Sequence, residues 1–256
     1  MIQKKEIKYL ASLKQKKFRL INQEIIIEGS KLILDAIKNN QEIIKIIYCK
    51  KDEAFSKIRS WAKEHNIPLN LCSHKDAEKI SDTKNSQQIF ALLKFKLPKK
   101  IDEIDLTLNN NIIVMDGISD PGNLGTILRT CSWFGYNNIM LSNECVEFNS
   151  PKTIRAAMGA HFYMKNIYKD SIQNIIKFLK QKKYEIIVAD LNGTNLNKFK
   201  LKTKKWALIL GNESKGISND SINGANQIIT IEGANKIESL NVAEAGSIIM
   251  YYLFKK

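Results

Sequence analysis

Three short polar clusters interrupt otherwise apolar sequence: Asn123 to Arg129, Gly211-Asn212-Glu213-Ser214-Lys215-Gly216, and Glu238-Ser239-Leu240-Asn241. They bring together a guanidinium, a carboxylate, side-chain amides and hydroxyls, groups that hold and orient a polar ligand. Each follows an apolar run that reads as a strand, and polar groups gathered at strand ends point to one shared pocket. Several familiar chemistries are missing. The chain has neither the G-x-G-x-x-G of a dinucleotide site nor the G-x-x-x-x-G-K-[ST] of a phosphate loop. Its three histidines, His65, His74 and His161, stand beside no Ser or Cys in a nucleophile arrangement and at no metal spacing, which argues against hydrolase triads and zinc.

The segments that must position these clusters alternate between helix and strand, so the chain reads as α/β throughout. The second half opens on the apolar run Ile112–Met115, then Asp116-Gly117 and Asp120-Pro121-Gly122, and a helix expected from about Asn123 to Phe134. Further strands are expected at 138–141, 161–165, 184–189, 206–210 and 227–231, and helices at 151–158, 171–181, 217–222 and 240–253. The sheet should be mostly parallel with helices on both faces. In the first half, residues 2–20 place Ile2, Ile7, Leu10, Leu13 and Leu20 on a helical period among lysines, predicting one basic amphipathic helix. Short strands and helices follow to about residue 93. Residues 98–108, with Pro98, weak periodicity and a change of charge sign, read as a linker between a domain at 1–97 and one at 109–256.

Charge suggests the partner. Of 40 Lys+Arg and 26 Asp+Glu in 256 residues, 22 and 11 lie in residues 1–100, so that half carries net +11 of the total +14. A domain this cationic suits a polyanion, with nucleic acid the default, although lysines that merely solvate a surface give the same count. A hydrophobic fraction of 44% excludes a disordered tail. No apolar run is long enough to span a bilayer, and the first twenty residues lack a signal-peptide core. Cys49, Cys72, Cys131 and Cys145 form no C-x-x-C pair and read as reduced thiols, so a cytoplasmic location is expected.

The three clusters also carry a resemblance. "VMDGISDPGNLGTILRTCSWFG", "LILGNESKGIS" and "IEGANKIESLNVAEAGSIIMYYL" resemble, in order, the three signature motifs of the SpoU (TrmH-like) branch of the SPOUT RNA methyltransferases. "SLKQKKFRLINQEIIIEGSKLILDAI" is similar to the substrate-binding domain of larger members, which resembles a small ribosomal-protein fold that binds RNA. The resemblance implies S-adenosylmethionine as methyl donor, a ribose 2′-hydroxyl of structured RNA as acceptor, a C-terminal trefoil knot, and a homodimer. Large-subunit (23S) ribosomal RNA is the favoured substrate, transfer RNA the runner-up, and a catalytically silent RNA-binding assembly protein the alternative from another class. No metal is implied.

Carried onto this sequence, the resemblance assigns catalytic roles to Asn123, Arg129, Glu213, Ser239 and Asn241. Arg129 suits a phosphate-binding or charge-stabilising role, because a guanidinium stays charged and makes a poor base. Cofactor contacts are expected from Leu210, Gly211, Asn212, Gly216, Ile231, Gly233, Ser239, Leu240 and Asn241, the glycines allowing close backbone approach. Lys16, Lys17, Arg19, Lys152 and Arg155 are expected to touch the RNA backbone. The motif departs from pattern at Ile231-Glu232-Gly233, where a Pro is usual, and at Ser150, where Asn is more familiar. Plain structural roles compete with these. Asn123 is a plausible helix N-cap, Glu213 could bind the amides of the helix after it, and Ser239 could cap the last helix with Asn241 in its first turn. Trp133, Phe134 and Met158 read as core or dimer packing.

Overall fold

The computed structural model describes residues 2–104, 111–164, 166–234 and 238–255. Residues 105–108 of the expected linker, Lys165 of an expected strand and residues 235–237 of the third motif lie outside the described residues. The chain divides into two compact units, Met1–Leu97 with Asn149–Phe162, and Pro98–Phe148 with Tyr163–Lys256.

The first unit runs α1 (Lys4–Ser12), α2 (Lys16–Asn22), β1 (Glu24–Glu28), α3 (Ser30–Lys38), β2 (Ile43–Tyr48), α4 (Phe55–Glu64), β3 (Leu69–Leu71), α5 (His74–Ile80) and β4 (Ile89–Lys94). Its sheet has the order β1-β4-β2-β3, with β4 antiparallel to both neighbours and β2 parallel to β3. The strands are rich in isoleucine, whose branched side chain suits a pleated surface. Alternate residues serve opposite faces: Ile46, Ile89 and Ala91 join one core with Ile33 and Ile58, while Ile47 and Phe90 join another with Ile7, Leu10 and Leu13. The basic opening helix expected over 2–20 is two helices. The chain turns after Ser12, and the buried Arg19, 3% exposed, donates from its guanidinium to the carbonyls of Leu13 and Lys14 at 2.8 and 2.5 Å. Periodicity alone could not show the break, because Leu13 and Leu20 fit the continued helix as well as the turn.

A piece of the sequence's second half completes this unit. The helix Pro151–Ala157 and the 3-10 turn that follows it send Ile154 and Phe162 into the core around Ile33 and Ile58. Arg155 pairs with Asp82 at 3.1 Å. The domain expected at 109–256 is therefore interrupted at Asn149–Phe162.

The second unit contains β5 (Ile112–Met115), α6 (Pro121–Phe134), β6 (Asn138–Ser142), β7 (Asn166–Asp170), α8 (Ile172–Gln181), β8 (Glu185–Asn195), β9 (Trp206–Leu210), α9 (Asn219–Gly224), β10 (Gln227–Thr230) and α10 (Val242–Phe254), with α7 the Pro151–Ala157 helix. Six parallel strands take the order β10-β8-β9-β5-β6-β7. β5, β6 and β9 are buried along their whole length, as the unbroken apolar runs of β5 and β9 require of strands covered on both faces. Residues 98–104, read as linker, are partly built into this unit: Lys99 bridges Tyr168, and Ile101 and Ile104 enter the core. The strand expected at 161–165 is displaced; Ala160–Tyr163 is a 3-10 turn and β7 begins at Asn166.

From β5 the strand order runs to β6 and β7 on one side and to β9, β8 and β10 on the other. Such a reversal opens a crevice at the carboxyl ends of the strands, where α/β sheets place ligands.

Candidate active site

Two helix starts and one hairpin loop build the site. Asp120 caps α6, its Oδ1 accepting the amide of Asn123 at 2.9 Å, with Pro121 at the first helical position where a missing N–H costs nothing. Asn123 is therefore not the cap, and its side chain is free for other bonds. At the other helix, Asn241 and not Ser239 is the cap: its Oδ1 accepts the amide of Ala243 at 2.8 Å.

The hairpin loop lies between β9 and α9. The amide of Asn212 donates to the carbonyl of Gly216 at 2.9 Å and the reverse bond measures 3.0 Å. Gly216 has φ +70°, and a Cβ on Gly211 would stand 2.7 Å from the carbonyl oxygen of Gly216, so both glycines are required by backbone. Asn212 is spent on the loop. Its Oδ1 accepts the amides of Ser214 and Lys215, both at 2.9 Å, and its Nδ2 donates to the carbonyl of Gly117 at 2.6 Å.

Glu213 reaches from this loop to the start of α6, not to the helix after it. Its carboxylate accepts from the amide and hydroxyl of Ser119 at 3.2 and 2.9 Å, from the amide of Asp120 at 3.2 Å, and from Nδ2 of Asn123 at 2.9 Å. Burial pushes its carboxyl up, but the bonds donated by Asn123 and Ser119 outweigh burial and hold it below the ordinary carboxylate range. An ionised carboxylate only accepts, so Asn123 must face it with its NH2 group. Oδ1 of Asn123 then accepts from Nδ2 of Asn241 at 3.0 Å. One relay thus joins all three clusters. Ser119 and Asp120, which sequence reasoning did not assign, complete it; the signal was Asp-Pro, a cap followed by a first-turn proline.

Beside the relay lies a cleft of about 520 Å³ lined by the predicted Leu210, Gly211, Asn212, Gly216, Ile231, Ser239, Leu240 and Asn241. Gly233 does not line it. Ala189, Asp190, Leu191 and Thr230 do, and they were not foreseen. Ala189, Asp190 and Leu191 are brought there by a bulge. β8 pairs with β10 at Val188 opposite Ile228 and resumes with Thr194 opposite Ile229, so the intervening residues loop out. A Cβ on Gly193 would fall 2.5 to 2.7 Å from backbone atoms of Ile229, and a glycine inside a strand pattern was the available sign. Glu232, the carboxylate that departs from the motif, is bound by Nδ2 of Asn195.

Arg129 is exposed on α6, and no hydrogen bond or ion pair engages its guanidinium among the described residues. It lies six residues after Asn123, about 9 Å further along the helix axis. In the first unit Lys16 and Lys17 are exposed at the start of α2, and Lys152 is exposed on α7. Arg19 is a correction: buried and bonded to two carbonyls, it is a structural residue and offers no phosphate contact. Arg155 is engaged by Asp82. Among the described residues no His, Cys, Asp or Glu group is arranged to hold a metal.

Residues 110–251 match the model of the SpoU rRNA Methylase family, and residues 4–91 match the MRM3-like substrate binding domain. The Bacillus subtilis 23S rRNA (guanosine(2553)-2'-O)-methyltransferase RlmP is 27% identical over 249 residues, covering 97% of this chain and 95% of that protein. A TrmH-family protein from Porphyromonas gingivalis superposes with TM-score 0.84 at 26% identity, covering 99% of this chain and 98% of that one. The AdoMet-bound rRNA methyltransferase from Sinorhizobium meliloti shares the fold, with TM-score 0.86 at 24% identity over 100% and 96% of the two chains. With more than half of its length matched by the family model, this chain belongs to the SpoU rRNA methylase family.

Proposed function

We propose that this protein transfers a methyl group from S-adenosylmethionine to a ribose 2′-hydroxyl of large-subunit ribosomal RNA. The observation that carries the reading is the relay of Glu213, Asn123 and Asn241, which joins the three motif clusters beside one cleft.

The cleft suits the donor. Its volume of about 520 Å³ is that of a cofactor site, Leu191, Leu210, Ile217, Val242 and Ile249 give apolar walls, and a Cβ on Gly216 would meet no protein atom within 4 Å, leaving open space at the rim. When bound, S-adenosylmethionine supplies an electrophilic methyl group carried on a cationic sulfur. The chain's own residues do the rest. Glu213 fixes the amide of Asn123, and Asn241 fixes its carbonyl, so each Asn keeps one N–H directed by the relay for the substrate sugar or phosphate. Arg129, unengaged and exposed, supplies a guanidinium to neutralise a phosphate or the charge developing on the ribose oxygen. Ser239 at the cleft wall orients ligand.

Lys16, Lys17 and Lys152 are the proposed contacts to the RNA backbone. The trefoil knot belongs to the same reading, supported by the likeness to SpoU and TrmH structures. So does a homodimer: Trp133 (84% exposed), Ile248, Tyr251 and Phe254 are large apolar side chains left at the surface of α6 and α10. Trp133 is thus no core residue. A cytoplasmic location fits four free thiols, three of them buried, and the absence, among the described residues, of any helix long and apolar enough to cross a membrane.

The test incubates purified protein with methyl-labelled S-adenosylmethionine and total RNA from a strain lacking the gene. Label at one large-subunit nucleotide, resistant to nuclease at its ribose, is expected. Label confined to transfer RNA would replace the substrate, and no label on RNA or ribosomal subunits would overturn the activity.

A further inference from the structure

We propose that Asp190 reads the charge of the methyl donor, favouring the cationic sulfonium over the neutral thioether left after transfer. The inference rests on the reading of the cleft as the donor site, and it concerns a residue outside all three motif clusters.

The chain carries a formal net charge of +14, a field that repels a cation. Among the described residues the lining of the cleft has the opposite balance, with Asp190, Glu213 and Glu238 against one cation, Lys215. Two of these carboxylates are poorly placed for the task. Glu213 is taken by Ser119, Asp120 and Asn123, and Glu238 is exposed, where solvent and salt screen it. Nearby Glu232 does not line the cleft and is bound by Asn195. Asp190 is half-buried, and only its Oδ1 is engaged, accepting the amide of Asn192 at 2.9 Å. Its Oδ2 has no partner among the described residues.

The backbone holds that carboxylate in place. The jump in register between β8 and β10 pushes Ala189, Asp190 and Leu191 out to the cleft, and the contact of Gly193 on the backbone of Ile229 fixes where the excursion returns. A fixed, partly desolvated carboxylate attracts a cation more strongly than a flexible exposed one, because no reorganisation is needed and screening is weaker. The preference would bind the donor and loosen the spent product.

The test is calorimetric titration of wild type, Asp190→Asn and Asp190→Ser with three ligands: S-adenosylmethionine, S-adenosylhomocysteine, and sinefungin, which has an ammonium in place of the sulfonium. Both variants keep an acceptor for the Asn192 amide, so the turn survives. Expected is a loss of about 3–10-fold in affinity for the two cationic ligands and less than about twofold for S-adenosylhomocysteine. Glu238→Gln should give a smaller difference. Equal losses for all three ligands, or none, would overturn the role of Asp190. Failure of wild type to bind any of them would instead overturn the cleft as donor site.

Discussion

Nδ2 of Asn241 donates to Oδ1 of Asn123 at 3.0 Å, across 118 residues of sequence. Because Oδ1 of Asn241 is already bonded to the amide of Ala243, and Nδ2 of Asn123 to Glu213, neither amide can flip without breaking two bonds. The start of α10 and the start of α6 are thereby locked to one carboxylate.

Removing that carboxylate should unlock both. Glu213→Ala leaves the amides of Ser119 and Asp120 and Nδ2 of Asn123 without their acceptor, at a cost of about 1–3 kcal/mol for groups that solvent partly reaches. Thermal unfolding should show the loss, and methyl transfer should fall further than stability alone explains.

Arg129→Ala should separate chemistry from structure. Among the described residues no bond holds its side chain, so melting temperature and S-adenosylmethionine affinity should stay within error, while the methylation rate drops by about 10²–10³-fold. Retention of normal methylation would place the charge-stabilising group elsewhere.

Gly193→Ala drives a methyl group into the backbone of Ile229. We expect a destabilisation of about 3 kcal/mol, as for severe overpacking, together with weakened donor binding, since the bulge that brings Leu191 to the cleft must shift. Paired denaturation and calorimetry would check both effects.

The basic residues of α2 should divide by burial. Arg19→Ala should cost about 2–3 kcal/mol, because the buried carbonyl of Leu13 and the partly buried one of Lys14 lose a charged donor. Lys16→Ala with Lys17→Ala should leave stability unchanged but reduce the salt dependence of RNA binding by about 0.7–0.9 in slope per contact. Filter binding across a salt series reads the second effect.

Acid should act through His161. Burial pushes its pKa down to about 3, whereas the unfolded imidazole titrates near ~6.5. Between those values the unfolded state binds a proton that the folded state does not. The stabilisation is complete above about pH 6.5 and declines as pH falls towards 3, at up to about 1.4 kcal/mol per pH unit. His161→Phe should flatten this part of a stability-against-pH curve.

Much of this is legible in the sequence. The apolar runs of β5 and β9 announce strands buried on both faces, and the three polar clusters that follow strand ends do converge. The exceptions share a physical cause. Asn123 and Asp120 are both good caps, as are Ser239 and Asn241, and sequence cannot say which one the helix start chooses. The role of Arg19 depends on where α1 stops, and no Gly or Pro marks that turn. Asp190 and Leu191 enter the cleft through a bulge whose only sign is one glycine inside a strand.

The insertion of Asn149–Phe162 into the first unit makes the two halves of this protein inseparable by a single cut. The chain passes between units after Leu97, after Phe148 and after Phe162. A protease acting after Leu97 would leave Ile154 and Phe162 still embedded among Ile33 and Ile58, and the nicked protein would travel as one particle. A gene truncated at the same point would strip those two side chains of their surroundings and yield a second unit carrying an unfolded, apolar strap.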